Sequence, residues 1–238
     1  MHPPTNAGAL HANLVTTLGT AIVSGDLVAE QVLTLDQLST DHKVSRSVAR
    51  EAIRVLESMG MVQSRRRVGI TVQPSRSWNV FDPTLIRWRL LAGDRAALLT
   101  SLSELRRGFE PAAAALAARR ADPDQCRILA GAVSDMVVHG RAGNLDAYLL
   151  ADKIFHQTLL EASGNEMFRA LNDVVAEVLA GRTEHGLMPE VPNPAAIDLH
   201  DEVARAVQRR DEDAAERAMR AIIDEATTAM SGNHPTAD

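Results

Sequence analysis

One segment, Val44 to Gly60 (V-S-R-S-V-A-R-E-A-I-R-V-L-E-S-M-G), restricts what this 238-residue chain can become more than any other. Wound as a helix, Arg46, Arg50 and Arg54 recur every four residues and share one face, with Ser47 beside them. Val48, Ala52, Val55, Leu56 and Met59 cluster on the opposite face, which suits burial. Ser45 fits the N-cap, and Gly60 fits the left-handed stop beyond the last turn. A short helix with one arginine face and one apolar face is built to lie on something anionic.

The charge distribution says where that anion meets the chain. The formal net charge is −6. Residues 1 to 80 hold eight Lys or Arg against six Asp or Glu, a net of +2, and the remainder holds 17 against 25, a net of −8. Between positions 43 and 67 there are seven basic and two acidic residues, so positive charge is focused around the arginine helix. That pattern fits a chain that meets nucleic acid at one end only. A single cysteine, Cys126, excludes an internal disulfide framework and reads as an incidental small hydrophobe. The N-terminus M-H-P-P-T-N-A-G has no basic region followed by an apolar run, so no secretory signal is expected. No apolar run approaches the roughly 20 residues of a membrane span. A soluble protein in the cytoplasm, with no membrane partner, is the expectation.

The flanking sequence frames the helix. Leu14, Leu18 and Ile22 recur at helical spacing between about Leu10 and Ser24, with Gly25 as a stop. Thr34 can cap a short helix from Leu35 to about Asp41, and His42-Lys43-Val44 connects it to the arginine helix. Two helices so joined, the second with the polar face, form a helix-turn-helix. Beyond Gly60, Met61–Ser64 and Ile70–Val72 read as short strands around Arg65-Arg66-Arg67-Val68-Gly69, a hairpin with a basic tip that can reach phosphate.

The composition of 74–83 (P-S-R-S-W-N-V-F-D-P) is that of a linker, in which Trp78 and Phe81 should pack against a domain. Everything after it reads as helix, over about 83–91, 95–120, 123–139, 144–162, 165–181, 197–209 and 211–230. The expected fold is mainly α: an N-terminal winged helix-turn-helix with a small β wing, then a C-terminal antiparallel all-helical bundle. The expected division is a disordered tail at 1–8, a DNA-binding domain at 9–73, a linker at 74–83, a helical effector-binding and dimerisation domain at 84–231, and a tail at 232–238.

V-S-R-S-V-A-R-E-A-I-R-V-L-E-S-M-G-M-V, followed by a basic segment and G-I-T-V, resembles the GntR family of bacterial transcription regulators across about Leu10 to Val72. L-R-R-G-F-E-P-A-A-A-A-L-A-A-R-R-A at 105–121, A-D-K-I-F-H at 151–156 and E-A-S-G-N at 161–165 resemble the helical ligand-binding domain of the FadR-like subfamily, called FCD. The segment S-W-N-V-F-D-P-T-L-I-R-W at 77–88 looks like the linker of sugar-acid-responsive, galactonate-type regulators. The resemblance implies homodimers on a palindromic DNA operator, with half-sites about one helical turn apart. It places DNA contacts on Arg46, Ser47 and Arg50, with Gly69 at the wing tip; the helix N-terminus adds Ser45, and the helix and wing add Arg54, Arg65 and Arg67, as phosphate contacts. Many relatives carry a basic residue where this chain has Asp36.

The same resemblance makes Asp152 and His156, four apart on one helix face, divalent-metal ligands such as for Zn, joined by His200. A further histidine expected in the final helix is replaced by Ile222, with Glu225 one turn on as a substitute. Arg106 falls where the family's cavity-facing arginine stands, and bidentate grip on a carboxylate would make it the anchor of an organic-acid effector. Arg182 and His185 are secondary candidates to border the cavity. The effector residues are thus Arg106, Asp152, His156, His200 and Arg182. The function implied is a ligand-released repressor answering a small carboxylate: an aldonate-like sugar acid, or alternatively lactate or another organic or fatty acid. Without the family, Asp152 could simply orient a buried histidine. Asp152, His156 and His200 could equally serve a small metal-dependent enzyme, but no HExxH, GxSxG or Gly-rich phosphate loop accompanies them. An architectural DNA-binding protein would leave the large acidic helical domain unexplained.

Overall fold

A computed structural model describes residues 6–93, 95–184 and 192–232. His185, most of the loop expected before Pro194, residues 1–5 of the expected N-terminal tail and residues 233–238 of the C-terminal one lie outside the described residues. The chain forms two compact units, residues 1–95 and 96–238.

The first unit is a winged helix. Helices α1 (Asn6–Ser24), α2 (Leu35–Asp41), α3 (Arg46–Ser58) and α4 (Pro83–Leu91) enclose a core with strands β1 (Val32–Leu33), β2 (Val62–Arg65) and β3 (Gly69–Val72). Helix α1 begins four residues earlier than its apolar spacing suggests, so positions 6–8 of the expected tail are helical. Local capping sets the helix-turn-helix. Thr34 accepts from the Gln37 backbone N–H while the Gln37 side chain reaches back to Thr34, a capping box that starts α2. Lys43 turns the chain in the left-handed region, and Ser45 Oγ accepts from the Val48 N–H at 3.3 Å to start α3. The buried stripe of α3 is Ala49, Ala52, Ile53, Leu56 and Met59. Val55 is 37% exposed, because the buried stripe runs through Ala49 and Ile53 and turns that position outward.

Strand order is β1-β3-β2, antiparallel throughout. The β2–β3 hairpin pairs Val62 with Val72 and Arg65 with Gly69, and turns through Arg66, Arg67 and Val68 with Arg67 left-handed. The two-residue β1, invisible as a pattern in the sequence, pairs Val32 with Thr71 and Leu33 with Ile70. Glu57 Oε1 accepts from the Ser64 backbone N–H at 2.5 Å, tying the wing to α3.

Helix α4 belongs to this unit, not to the helical domain in which its sequence position suggested it. Leu85 and Trp88 are buried in the winged-helix core, and Trp88 lies so close over Gly19 of α1 that no Cβ fits there. The segment before α4 is also packed. Gly60, at φ +72°, leaves no room for a side chain beside the Ser77 carbonyl; the Asn79 N–H donates to Met59, and Trp78 Nε1 donates to Gln73. Trp78 packs on the core as expected, whereas Phe81 stays 50% exposed.

The second unit is all helix: α5 (Arg95–Arg120), α6 (Pro123–Arg141), α7 (Leu145–Ala162), α8 (Glu166–Arg169), α9 (Asn172–Glu184), α10 (Pro194–Arg209) and α11 (Glu212–Gly232). Asp122-Pro123 and Asn193-Pro194 each put a capping side chain before a proline whose missing N–H costs nothing at the first helical position. The helix expected across 165–181 is broken at Ala170 and Leu171 into α8 and α9. Helices α6, α7, α10 and α11 pack around Leu129, Met136, Phe155, Leu159, Val203, Met219 and Ile223. Ala113, Ala114, Ala117 and Ala118 keep the buried face of α5 small enough for close approach of neighbouring helices. No helix among the described residues is long and apolar enough to cross a membrane.

Candidate functional site

Two places gather the chemistry that the sequence singles out, one in each unit.

In the winged helix, a groove is lined by Arg46, Arg50 and Arg54 of α3 together with Asp36 of α2 and Arg65, Arg66 and Gly69 of the wing. Ser45 Oγ and Ser47 Oγ lie 2.9 Å apart at the N-terminus of α3, where free backbone N–H groups favour an anion. The three arginines of α3 are not equivalent. Arg54 pairs with Glu51 on its own helix at 2.8 Å. Arg46 Nη2 pairs with Asp36 Oδ1 at 2.6 Å across the turn. Arg50 has no ion-pair partner among the described residues. Arg67 occupies the hairpin tip, beside Gly69 at φ +117°.

In the helical unit, a cavity of about 350 Å³ is lined by Arg106, Tyr148, Asp152, His156, Arg182 and His200, with Asn193, Ile222 and Glu225 also on its wall. Helix α7 supplies Tyr148, Asp152 and His156 from one face at four-residue spacing. Helix α5 supplies Arg106 and Glu110, α9 supplies Arg182 and α10 supplies His200.

Asp152 Oδ1 lies 3.4 Å from His156 Nε2 and 3.3 Å from His200 Nε2. The three side chains are buried, and one ligand atom from each lies within 4.8 Å of the others. Asp152 Oδ1 and His200 Nε2 have no hydrogen-bond partner. Buried polar atoms are rarely left so, since each costs about 1–3 kcal/mol. A tetrahedral ion with bonds near 2.05 Å holds its ligand atoms about 3.3 Å apart, which matches both measured separations. The outer faces of the imidazoles suit the same role. His200 Nδ1 lies 2.6 Å from the Ala196 carbonyl oxygen, so it carries the proton and leaves Nε2 bare. His156 Nδ1 lies 2.8 Å from Glu110 Oε2, somewhat off the line of a hydrogen bond, and its Nε2 lies 3.4 Å from both Asp152 Oδ1 and Arg106 Nη2. Asp152, His156 and His200 therefore fit a divalent metal as a three-residue set. Ile222 adds only hydrocarbon, as its identity requires.

Without an ion the electrostatics are those of a proton-holding cluster, so a metal would have to displace protons from the imidazoles. Burial would push the Asp152 carboxyl up, but the two imidazoles beside it hold it well below the usual carboxylate range, so it is an anion. Burial and Arg106 favour neutral His156, while Glu110 and Asp152 outweigh them and raise its pKa. Burial likewise opposes ionised Glu110, and Arg106 with His156 overcome it to bring the carboxyl to about 2.

Arg106 is where the sequence places it, on the cavity wall, but its guanidinium is committed. Nε meets Glu110 Oε1 at 2.5 Å and Nη2 meets Glu110 Oε2 at 3.2 Å, in an almost fully buried pair. Arg106 thus braces Glu110 and, both through it and directly at 3.4 Å, His156. Arg182, a secondary candidate by sequence, is the cation left over. It is 9% exposed, its Nε has no hydrogen-bond partner, and burial together with Arg106 lowers its pKa. Sequence reasoning did not assign Tyr148 or Asn193, nor Glu110 as the partner that occupies Arg106. The last was findable, since Arg106 and Glu110 stand at the four-residue spacing of a helical ion pair. Asn193 donates to Glu225 Oε1 at 3.1 Å.

Comparison with known proteins finds a match for each unit. A family model described as "Bacterial regulatory proteins, gntR family" matches residues 10–72, and the FCD domain model matches residues 101–225. The galactonate operon transcriptional repressor of Escherichia coli is 28% identical over 216 residues, covering 90% of this chain and 93% of that protein. The transcriptional repressor NanR of Citrobacter rodentium is 27% identical over 203 residues, covering 80% of this chain and 73% of that one. Among solved structures, a GntR protein of Streptococcus agalactiae is similar at a TM-score of 0.51 and 26% identity, over 93% of this chain and 99% of that one. The Listeria monocytogenes regulator Lar shares the fold at a TM-score of 0.57 and 17% identity, over 98% of this chain and all of that one. The matched proteins are regulators, which removes the metal-dependent enzyme as a reading of Asp152, His156 and His200. With a winged helix at one end and an FCD domain at the other, the chain belongs to the GntR family of bacterial transcription regulators.

Proposed function

We propose that this regulator is a cytoplasmic homodimeric repressor that leaves a palindromic operator when a small carboxylate enters the helical cavity. The observation that carries the reading is Arg182, a buried guanidinium on the wall of a cavity that also presents a three-residue metal set. Arg182 grips the carboxylate, because its Nε makes no hydrogen bond and no direct ion pair holds it among the described residues, with Asp152 and Glu225 acting on it only through space, while Arg106 is taken by Glu110. Asp152, His156 and His200 hold a divalent ion, which supplies positive charge and coordination positions for ligand oxygens. Tyr148 and Asn193 offer hydrogen bonds to hydroxyl groups. The volume is near the low end of the usual range of about 300–1,000 Å³, which suits a sugar acid or a shorter organic acid better than a long acyl chain. Similarity to the galactonate operon repressor favours an aldonate over lactate or a fatty acid. On the DNA side, Arg46, Ser47 and Arg50 read bases, and Ser45, Arg54, Arg65, Arg67 and the Gly69 backbone contact phosphates.

Calorimetric titration of zinc-loaded protein with aldonates, uronates and lactate tests the ligand reading, alongside gel shifts on the upstream DNA of the chain's own gene. Arg182→Ala should weaken binding of the responding acid about 30-fold or more, the usual cost of removing one partner of a buried charge pair, and leave DNA affinity in the absence of ligand unchanged. Wild-type ligand affinity in Arg182→Ala would refute the anchor.

A further inference from the structure

The pair between Arg46 and Asp36 has a bearing on sequence recognition. Arg46 is the first residue of α3, and Asp36 sits in the first turn of α2, ten positions earlier. Their 2.6 Å contact spans the helix-turn-helix connection, and both side chains line the groove that holds Arg50 and the wing arginines. A carboxylate on a surface meant for phosphate repels the ligand and lowers affinity for every sequence. Its presence calls for a compensating role.

We propose that Asp36 is a specificity-determining positioning residue, tethering the Arg46 guanidinium so that it addresses a base edge rather than a phosphate. The proposal rests on the reading of α3 as the DNA-reading helix. In the free protein both side chains are about two-thirds exposed, and such a pair is weak. Against a duplex the water between them is displaced and the pair strengthens. The guanidinium presents five donors in one plane. One edge held by Asp36 leaves another free for the O6 and N7 acceptors of guanine, which need two parallel donors. Untethered, Arg46 reaches the nearest phosphates, whose contacts position the protein but carry no sequence information. Asp36 also repels those phosphates directly. Arg54 is held differently, by Glu51 of its own helix, and Arg50 carries no such tether.

The test is selection of the full chain's preferred duplexes from a randomised DNA library, for wild type, Asp36→Ala, Asp36→Asn and Arg46→Ala. Asp36→Ala retains the capping box of Thr34 and Gln37 and the buried Leu38, so α2 keeps its start and its anchor. The expected result is loss of preference at one base pair of each half-site, with discrimination there falling about tenfold. Affinity for non-selected DNA should rise, with a salt dependence steeper by about one counterion per half-site. Asp36→Asn lacks the charge but keeps an acceptor oxygen. It should gain affinity for non-selected DNA only from the lost repulsion, less than Asp36→Ala does and with a smaller change in salt dependence, while retaining most of the base preference. If both variants gain affinity equally on all sequences and select the wild-type consensus, Asp36 acts through charge alone and the proposal is overturned. If wild type enriches no sequence, or Arg46→Ala selects the wild-type consensus, the reading of α3 falls and takes this proposal with it.

Discussion

Replacing Glu110 by Gln removes a carboxylate that buried Arg106 and His156 share. Glu110 is fully buried, bonded twice by Arg106 and faced by His156. Lowering its carboxyl from 4.5 to about 2 on folding corresponds to about 3 kcal/mol of stability. Mutational experience gives a similar figure, since breaking a buried pair by deleting one partner costs about 3–5 kcal/mol. Because the folded value lies below the unfolded one, this contribution is complete above pH 4.5 and is lost as pH falls through about 2. Urea denaturation of metal-free protein, followed by circular dichroism, should therefore show Glu110→Gln less stable by about 3 kcal/mol between pH 5 and 7. The gap should narrow steadily below pH 4.5. Equal stability at neutral pH, or a gap that persists undiminished in acid, would refute the reasoning, because either would mean that ionised Glu110 is not what holds Arg106 and His156.

Two other substitutions probe the remaining architecture. Ile222→His introduces an imidazole on the wall of the cavity that holds Asp152, His156 and His200, and a fourth donor should raise zinc affinity at least about tenfold in competition with a chromogenic chelator; unchanged affinity would mean that the new ring does not reach the cluster. Gly19→Ala drives a methyl group into the Trp88 ring and should destabilise the winged-helix unit by about 1–3 kcal/mol, seen as a lower thermal midpoint. A midpoint equal to wild type would mean that α4 does not seal that core.

The parts of the fold that the sequence announces are those with local chemical punctuation. Asp82-Pro83 and Asp122-Pro123 start helices where they must, because a carboxylate caps and a proline cannot continue an earlier helix. The arginine helix is equally plain, with Ser45 before it and Gly60 after it. What escaped has no local signal. Two residues, Val32 and Leu33, cannot display an alternation, and β1 exists only because β3 offers them an edge. The break at Ala170 and Leu171 involves residues that both favour helix, so tertiary packing decides it. Helix α4 has the right boundaries but a different home, since its pattern says that Leu85 and Trp88 are buried and not which core buries them. In the cavity, the trio of Asp152, His156 and His200 was legible from spacing and resemblance. So was the pairing of Arg106 with Glu110, at its four-residue spacing, but that no carboxylate pairs directly with Arg182 among the described residues was not. Which guanidinium is free depends on which carboxylate is nearest in three dimensions.

The short strand β1 has one more consequence. It fastens the segment leading into α2 to the inner strand of the wing, while Glu57 fastens the outer strand to α3. Reading helix and basic tip are thus clamped from both sides, and their separation is fixed before any duplex arrives. In the proposed complex the unit behaves as a caliper: a duplex whose groove width departs from that span must deform to fit, and sequences differ in the cost of that deformation. Base pairs that no side chain touches would then still count in the choice of operator.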